Sequence, residues 1–453
     1  MTHRLIYLAL LATLFATGCD PPFVAVEPPG IEVISPDLSE VQLSTSVALR
    51  FRVTSLRRIT GVEINGEEAS PTSDSGVFEI MLTLSKGVNR LFVAAFDSEG
   101  NVGSDTLFSV HLPYGTSNIL AATLPQPLAN HTATPLAGGS LLVVGGLDAN
   151  GLPSAFAYTY IEQGFDFLIS ELPGELAHAR AGHTASLLPD GRVLIVGGSS
   201  VLDPGGASDF TPTGELFDPG SELFTTLAFA GEPVTRAFHT AATLTDGGRT
   251  FVYLFGGRGI VAGSAVGTRS DVTVLEVRST PAGDSLINLS PGGAIGAFPA
   301  VAHHVQLPLP NEGGFLRTFT TGTYEPPDGG ESNPVSFRFL YTPSTFFFPF
   351  EVFEESLPPM QMLRVDHAAA LATPGLAILT GGRTPDGSVV DNLEVFADEA
   401  GQFFRFPSST ALLTARHRHT ATLLPSGRIL LLGGVNTSRT TIASAEYILL
   451  PFP

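Results

Sequence analysis

The sequence predicts an all-β protein in which a small β-sandwich precedes a six-bladed β-propeller. Glycine and proline are abundant, with 49 and 35 of the 453 residues, which favours turns over long helices. Residues 31–114 alternate apolar and polar side chains with a period of two, as strands with one buried face do. Residues 118–453 contain one sequence unit six times, and repeats of this length are typical of propellers.

The charge balance excludes two classes of function. The chain has 23 basic and 43 acidic residues, which gives a net charge of −20. Nucleic-acid binders and polybasic membrane-surface proteins need an excess of positive charge. We therefore expect no nucleic-acid partner.

Residues 1–18 have the features of an export signal. Arg4 precedes an apolar stretch over residues 5–17, which is too short to span about 30 Å of hydrocarbon as a helix. The stretch ends at Ala16-Thr17-Gly18-Cys19, which resembles the bacterial lipobox. That resemblance implies cleavage before Cys19, a lipid on its thiol and amino group, and anchorage to the outer membrane or to the periplasmic face of the inner membrane. An ordinary export signal with an incidental cysteine is the alternative.

Cys19 is the chain's single cysteine, so the mature chain forms no internal disulfide and no site with several cysteine ligands. Residues 19–30 are rich in proline and are expected to form an extended tether.

The first domain is expected to cover residues 31–114. Val47, Leu49, Phe51 and Val53 alternate with polar or small residues, and turn signals such as Asn65-Gly66 separate such runs. About seven short strands of this kind predict a β-sandwich. The run VEINGEEA with the later AAFDSEGN resembles bacterial immunoglobulin-like modules, which implies a spacer or a weak binding unit.

The propeller is expected to cover residues 118–453. Each unit begins with a histidine, continues through two strands joined by a tight turn, and ends the second strand at Gly-Gly or a variant of it. A third strand carries glutamate in several units, and a fourth carries phenylalanine. Residues 118–123 are expected to supply the missing fourth strand of the last blade and so close the ring, which removes exposed strand edges. The repeated histidines are His131, His183, His239, His304, His367 and His419.

The pattern R-x-x-H-[TA]-A, G-R-[VI]-L, Gly-Gly and E-x-[FY] resembles the kelch repeat over about 335 residues, from residue 118 to 453. The resemblance implies a kelch-type propeller. The usual fourth-strand tryptophan is absent, because the chain contains none. Blade four also departs from the pattern, since it has Thr321-Gly322 in place of Gly-Gly and lacks the arginine before its histidine.

Two sets of repeated residues are candidate functional groups. The six histidines are too widely spread around a ring to bind one metal with bonds of about 2 Å, so we expect them to hydrogen-bond the backbone between blades. Arg180, Arg236, Arg364 and Arg416 precede four of them by three residues. These arginines are candidates for an anion-binding ring at one channel mouth, with pairing to the third-strand glutamates as the alternative.

The loops that follow Gly-Gly differ in length between blades, and unequal loops on one face often form binding sites. Their acidic residues are candidate binding residues, with variable solvated loops as the alternative. These residues are Asp203, Asp209, Asp271, Asp328 and Glu331.

A propeller with an added immunoglobulin-like domain also resembles galactose oxidase, but that chemistry needs a cysteine–tyrosine crosslink for which only Cys19 is present. Sialidase boxes need tryptophan, and the common hydrolase and phosphate-binding motifs are absent. We therefore expect an exported, membrane-anchored lipoprotein that binds a protein or carbohydrate of the envelope without chemistry, a cofactor or a metal. A carbohydrate-active enzyme of the sialic-acid mutarotase type and a purely structural scaffold are the alternatives.

Overall fold

The structure is a computed structural model that describes residues 27–113, 117–164, 166–261, 265–280, 283–290, 301–309, 316–324, 333–341 and 352–449. Strands dominate these residues, together with one 3₁₀ turn at Ala207–Asp209. The predicted all-β class is confirmed. In this part of the chain, no helix has the length and apolar character needed to cross a membrane.

The N-terminal residues form two four-stranded sheets, as the alternating sequence predicts. Phe51, Val53, Val62 and Val93 are among the side chains that their buried faces contribute. The first sheet contains, in spatial order, Gly30–Ser35, Ser46–Thr54, Val77–Thr83 and Ser70–Pro71. The second contains Glu67–Glu68, Ile59–Ile64, Gly87–Asp97 and Val102–His111.

The described chain divides into two compact units. One contains the residues up to Ser35 together with Leu49–Ile80 and Phe92–Thr106. The other contains Pro36–Ala48, Met81–Leu91 and the chain from Leu107 onward. Three segments of the region expected as the sandwich domain, residues 31–114, therefore group with the propeller.

Six antiparallel sheets of four main strands follow, and each is one blade. Blade one contains Thr132–Pro135, Leu141–Val144, Ala157–Gln163 and Asp166–Glu171. Blade two contains Thr184–Leu187, Val193–Val196, Gly214–Asp218 and Leu223–Leu227. Blade three contains Thr240–Asp246, Arg249–Phe255, Val272–Thr280 and Gly283–Asn288, to which Phe229–Ala230 adds in parallel.

The remaining blades follow the same order. Blade four contains Val301–Pro308, Leu316–Tyr324, Asn333–Tyr341 and Val352–Ser356. Blade five contains Ala368–Thr373, Leu376–Thr380, Leu393–Ala397 and Gln402–Arg405. Blade six contains Thr420–Leu423, Arg428–Leu432 and Ala445–Leu449, with Ser117–Ile119 as its fourth strand. Short ribbons extend blades three and six: Arg236–Ala237, Arg258–Val261 and Ala265–Thr268 in the former, and Arg416–His417 with Val435–Asn436 in the latter.

The ring is closed. The first strands of successive blades contact each other from blade one to blade six, and the first strand of blade six contacts that of blade one. Ser117–Ile119 pairs antiparallel with Ala445–Leu449, so the predicted closure by the segment before blade one is confirmed. The paired segment is shorter than the expected 118–123.

In each blade, the pairing between the first and second strands is interrupted near the start of the first strand. In blade two, pairing stops at Thr184 and Val196, and residues 182–183 face residues 197–198. A Cβ atom on Gly197 would lie 2.5 Å from Cε1 of His239 in the next blade. Gly197 and Gly198 also have positive φ, which other residues adopt at a cost. The double glycine is therefore the place where one blade accepts the histidine of the next.

Blade four differs from this arrangement by one residue. Val305 pairs with Thr321 as Thr184 pairs with Val196, and pairing resumes at Ala302 and Thr323. Two residues, 303–304, therefore face only Gly322. The register places Gly322 at the first glycine position and gives blade four a β-bulge, which redirects the side chains of the longer strand.

Replacing Gly197 by alanine is expected to lower the free energy of unfolding of the propeller more than replacing Gly191. Both glycines have positive φ (+69° and +88°), so the backbone cost of about 1–2 kcal/mol is common to both. Only Gly197 has a neighbour within 4 Å of the added Cβ, which adds about 1–3 kcal/mol of overpacking. Denaturant unfolding measures the difference, and equal losses in the two variants would contradict the proposed interlock.

Candidate functional site

The six repeat histidines connect neighbouring blades through side chains. In each of five contacts, Nε2 of one histidine lies within hydrogen-bond distance of a threonine hydroxyl in the preceding blade, rather than of the expected backbone atom. The pairs are Thr132–His183 (3.0 Å), Thr184–His239 (3.1 Å), Thr240–His304 (2.8 Å), Thr380–His419 (2.8 Å) and Thr420–His131 (3.3 Å).

His367 is the exception. Within the described residues neither of its ring nitrogens has a hydrogen-bond partner, although the residue is 95% buried. The cause is in blade four, where Val305 stands at the position that threonine occupies in the other partners. Blade five also lacks this threonine, because it has Ala368, but Thr380 reaches His419 from the neighbouring strand.

The residue before each repeat histidine faces the propeller axis, and we call these six residues the axial ring. All six have left-handed backbone, with φ between +52° and +65°. Five are not glycine, so each carries a conformational cost of about 1–2 kcal/mol. The axial ring consists of Asn130, Gly182, Phe238, His303, Asp366 and Arg418.

The axial ring is joined through its backbone. The N–H of Gly182 donates to the carbonyl of Asn130 (3.0 Å), and the N–H of Phe238 donates to that of Gly182 (2.7 Å). Equivalent bonds join three further pairs of successive blades. Between blades four and five the contact seen among the described residues is instead made by side chains, from Nδ1 of His303 to Oδ1 of Asp366 (2.7 Å).

The axial ring and the six histidines line one cavity of about 180 Å³, which we call the axial pocket. Drug-sized ligands occupy cavities of about 300–1,000 Å³, so this pocket suits a small molecule or one end of a larger one. Asn130 is notable because its buried Nδ2 has no hydrogen-bond partner among the described residues. The pocket lining therefore contains an amide whose hydrogen-bonding capacity this part of the protein leaves unused.

Asp366 is the charged centre of the axial pocket. Its side chain is 1% exposed and contacts His303, Arg383 (2.8 Å) and Arg418 (3.3 Å), with Nδ1 of His417 at 3.7 Å. Burial raises its pKa, but the facing histidines and Arg418 outweigh burial and hold the pKa well below the usual range. Asp366 is therefore a carboxylate at neutral pH.

Burial has the opposite consequence for the repeat histidines. It lowers the pKa of His131 to about 4 and, helped by neighbouring positive charge, lowers that of His183 and His367 to about 3. The pKa values of His239, His304 and His419 are lowered in the same way. The six repeat histidines are thus neutral imidazoles, and the pocket that they line also contains the Asp366 carboxylate and the Arg418 guanidinium.

The four predicted arginines lie away from the mouth, buried in ion pairs. Arg180 is 0% exposed and bonds Glu215 (2.5 Å), and Arg236 bonds Asp271 (2.7 Å). Arg364 pairs with Glu394, and Arg416 pairs with Glu446 (3.3 Å). Arg180, Arg364 and Arg416 each donate to the carbonyl of a first glycine, so these arginines tie the double glycine to the third strand. For Arg180, Arg364 and Arg416 this is the pairing with third-strand glutamates that the sequence leaves open, whereas Arg236 pairs with an aspartate just before its third strand.

The acidic loop residues that the structure describes have different partners. Asp203 is exposed and contacts Arg258 (3.1 Å), whereas Asp209 accepts bonds from the N–H groups of Gly205 and Gly206. Asp271 belongs to the Arg236 pair. Asp328, Glu331 and the predicted lipidation residue Cys19 lie outside the described residues.

A second cavity, of about 480 Å³, lies among the loops of blades one and two. Its lining includes Leu152, Pro153, His178 and Phe210. It is larger than the axial pocket, but it has no cluster of charged groups comparable to that around Asp366. In the described residues no group of three or more histidine, cysteine or acidic side chains has the arrangement of a metal site.

Sequence reasoning selected the histidines and arginines and missed the axial ring. The signal was present in the repeats, because the position before the histidine holds six different residues while the next position is always histidine. In repeat proteins, positions that vary on a constant backbone often form the binding surface.

No family model matches the chain, and no curated protein matches it. Solved structures with a similar fold include one titled "Structure of YjhT", at 14% identity and a TM-score of 0.49, covering 72% of this chain and 95% of that one. Another is a fungal alcohol oxidase of the AA5 family in complex with copper, at 15% identity and a TM-score of 0.47, covering 94% of this chain and 77% of that one. Likeness at this level assigns no activity to the chain.

Acid is expected to destabilise the propeller between pH 6.5 and 4. The repeat histidines have lowered pKa values when folded, so the unfolded chain binds more protons in this window and stability falls as pH falls. Calorimetric unfolding at pH 5 in buffers of different ionisation enthalpy should show uptake of about six protons from these residues. Unfolding without proton uptake would contradict their neutral state.

Replacing Val305 by threonine is expected to stabilise the propeller by about 1 kcal/mol, because it supplies a hydroxyl for Nε2 of His367. The matched control is Ala368→Thr, whose histidine already has Thr380 as a partner, and which should change the thermal midpoint little. An equal gain in both variants would show that the missing bond is not the cause.

Proposed function

We propose that this chain is an envelope lipoprotein whose propeller binds a small hydroxyl-rich ligand, of the carbohydrate class, in the axial pocket. The observation that carries the proposal is the axial ring itself. Five of its six residues retain a side chain at a backbone position where glycine would be less strained. These side chains bring an amide, an aromatic ring, an imidazole, a carboxylate and a guanidinium together around one cavity.

The mixture of side chains in the axial ring suits a ligand with several hydroxyl groups. Hydroxyls both donate and accept, so they pair with Asn130, Asp366 and Arg418 alike. Small-molecule sites combine such convergent polar groups with apolar walls, which Phe238 supplies here. A protein partner, the other class expected from the sequence, would require a broad surface, whereas the polar groups converge on a pocket of about 180 Å³.

The location is part of the proposal. The apolar stretch before Cys19 supports export and lipid anchorage, and the proline-rich residues that follow would serve as the tether. Metabolic labelling with a fatty acid tests it, because the label should depend on Cys19.

Asn130→Gly is expected to weaken ligand binding by about three- to tenfold, since one hydrogen bond to a neutral group is lost. Binding is measured by calorimetry or saturation-transfer NMR against a panel of neutral and acidic monosaccharides, using the chain from residue 19 with Cys19→Ser. Glycine keeps the left-handed backbone, as Gly182 shows at the equivalent position.

Asn65→Gly is the matched control, because Asn65 also has positive φ (+50°) but lies in the turn that follows the N-terminal strand Ile59–Ile64. It should leave affinity unchanged. Leu152→Ala tests the loop cavity in the same assay. Loss of binding in Leu152→Ala alone would move the site to the loops, and no binding to any sugar of the panel would contradict the proposal.

A further inference from the structure

The symmetry of the axial pocket is broken at one place, the boundary between blades four and five. Three departures coincide there. His303 lies in the β-bulge created by the single glycine of blade four, His367 has no hydrogen-bond partner among the described residues, and a side-chain bond joins His303 to Asp366. Bulges are frequent next to active sites because they redirect a side chain.

His303 is oriented on two sides. Its Nδ1 contacts Oδ1 of Asp366 at 2.7 Å, and its ring stacks on Phe238 with 4.4 Å between centroids. Nε2 makes no hydrogen bond within the described residues, and the side chain is 17% exposed at the pocket. A carboxylate on one nitrogen fixes the tautomer so that the other nitrogen is the base.

We propose that His303 is a general-base catalyst that activates water to hydrolyse an acyl ester of a hydroxyl-rich compound bound in the axial pocket. This inference rests on the proposed function, since the alcohol part of the ester is the ligand class described there. His303 is the catalytic residue and Asp366 is a positioning residue.

The lining of the pocket selects this reaction. Glycoside hydrolysis usually needs two carboxyl groups across the scissile bond, and Asp366 is the one carboxylate among the described lining residues. The same lining contains no serine or cysteine, and Asp366 aligns His303 as a base, so water is the nucleophile that this pair of side chains would activate. Arg418 contacts Asp366 through Nε, and its terminal nitrogens make no hydrogen bond to described residues, which leaves them for a developing oxyanion.

The step balances without a further reagent. Nε2 of His303 takes a proton from water while the water oxygen forms a bond to the ester carbonyl carbon, and Asp366 stabilises the imidazolium. The C–O bond to the alcohol then breaks, and His303 returns the proton to the departing oxygen. The products are a carboxylic acid and the free alcohol.

The test is hydrolysis of 4-nitrophenyl acetate by the chain from residue 19 with Cys19→Ser. His303→Asn should lower kcat/KM by about 100-fold or more, which is the usual contribution of a general base. Asparagine tolerates the left-handed backbone at this position. His178→Asn is the matched control, because His178 is 49% exposed and lies outside the axial pocket, and it should keep the parent rate.

Asp366→Asn tests the positioning role. It should lower kcat more than it changes KM and move the acid limb of the pH–rate profile to lower pH, because the imidazolium loses its carboxylate partner. A merely structural role would change the thermal midpoint without moving the profile.

Hydrolysis by the parent no faster than by His303→Asn would overturn the inference. The sugar-binding measurement separates the two proposals, since binding without hydrolysis leaves the proposed function standing and removes only the catalytic role. Hydrolysis that depends on His303 without sugar binding supports the catalytic role and contradicts the hydroxyl-rich ligand.

Discussion

The propeller depends on one contact that the described residues show at five of the six blade boundaries, in which the histidine of one blade packs against the first glycine of the blade before it. A Cβ atom at Gly145, Gly197 or Gly433 would lie 2.5–3.0 Å from the imidazole of the next blade. The histidine therefore fixes the distance between blades sterically, and its hydrogen bond to threonine fixes their register. Because the imidazoles are buried and neutral, this packing adds no charge to the axis.

The contact between histidine and glycine also explains why the side chains of the axial ring are available to bind a ligand. The chain must turn sharply before each histidine, and this turn places the preceding residue in the left-handed region with its backbone bonded to the neighbouring blades. The backbone of the axial ring is thus used by the fold, and only side chains remain for a ligand. A scaffold built in this way keeps its geometry while residue type changes from blade to blade.

The sequence predicted the architecture well because each blade repeats the same sequence motif. Six histidines at regular spacing, double glycines and third-strand glutamates determined blade number, and the segment before blade one was correctly assigned to closure. The site was harder to predict because its chemistry comes from six residues, each on a different blade and no two alike. Their meeting depends on ring closure, and no local pattern marks them except their difference from one another. The arginines misled for the opposite reason: they repeat from blade to blade, and their buried ion pairs serve the fold.

Blade four shows how a small change in the repeat alters the balance between residues that stabilise the fold and residues that remain for a ligand. Loss of one glycine leaves two residues opposite one, and the resulting bulge carries His303 and His304. Loss of the threonine leaves His367 without the bond that its counterparts make. Each change removes a stabilising contact, yet both fall beside Asp366, where four basic or imidazole side chains surround one carboxylate. Five regular boundaries hold the ring closed, which allows the sixth to be irregular. An irregular boundary at the most highly charged part of the pocket is what a binding or catalytic site requires, because a ligand needs polar groups that the fold has not already used.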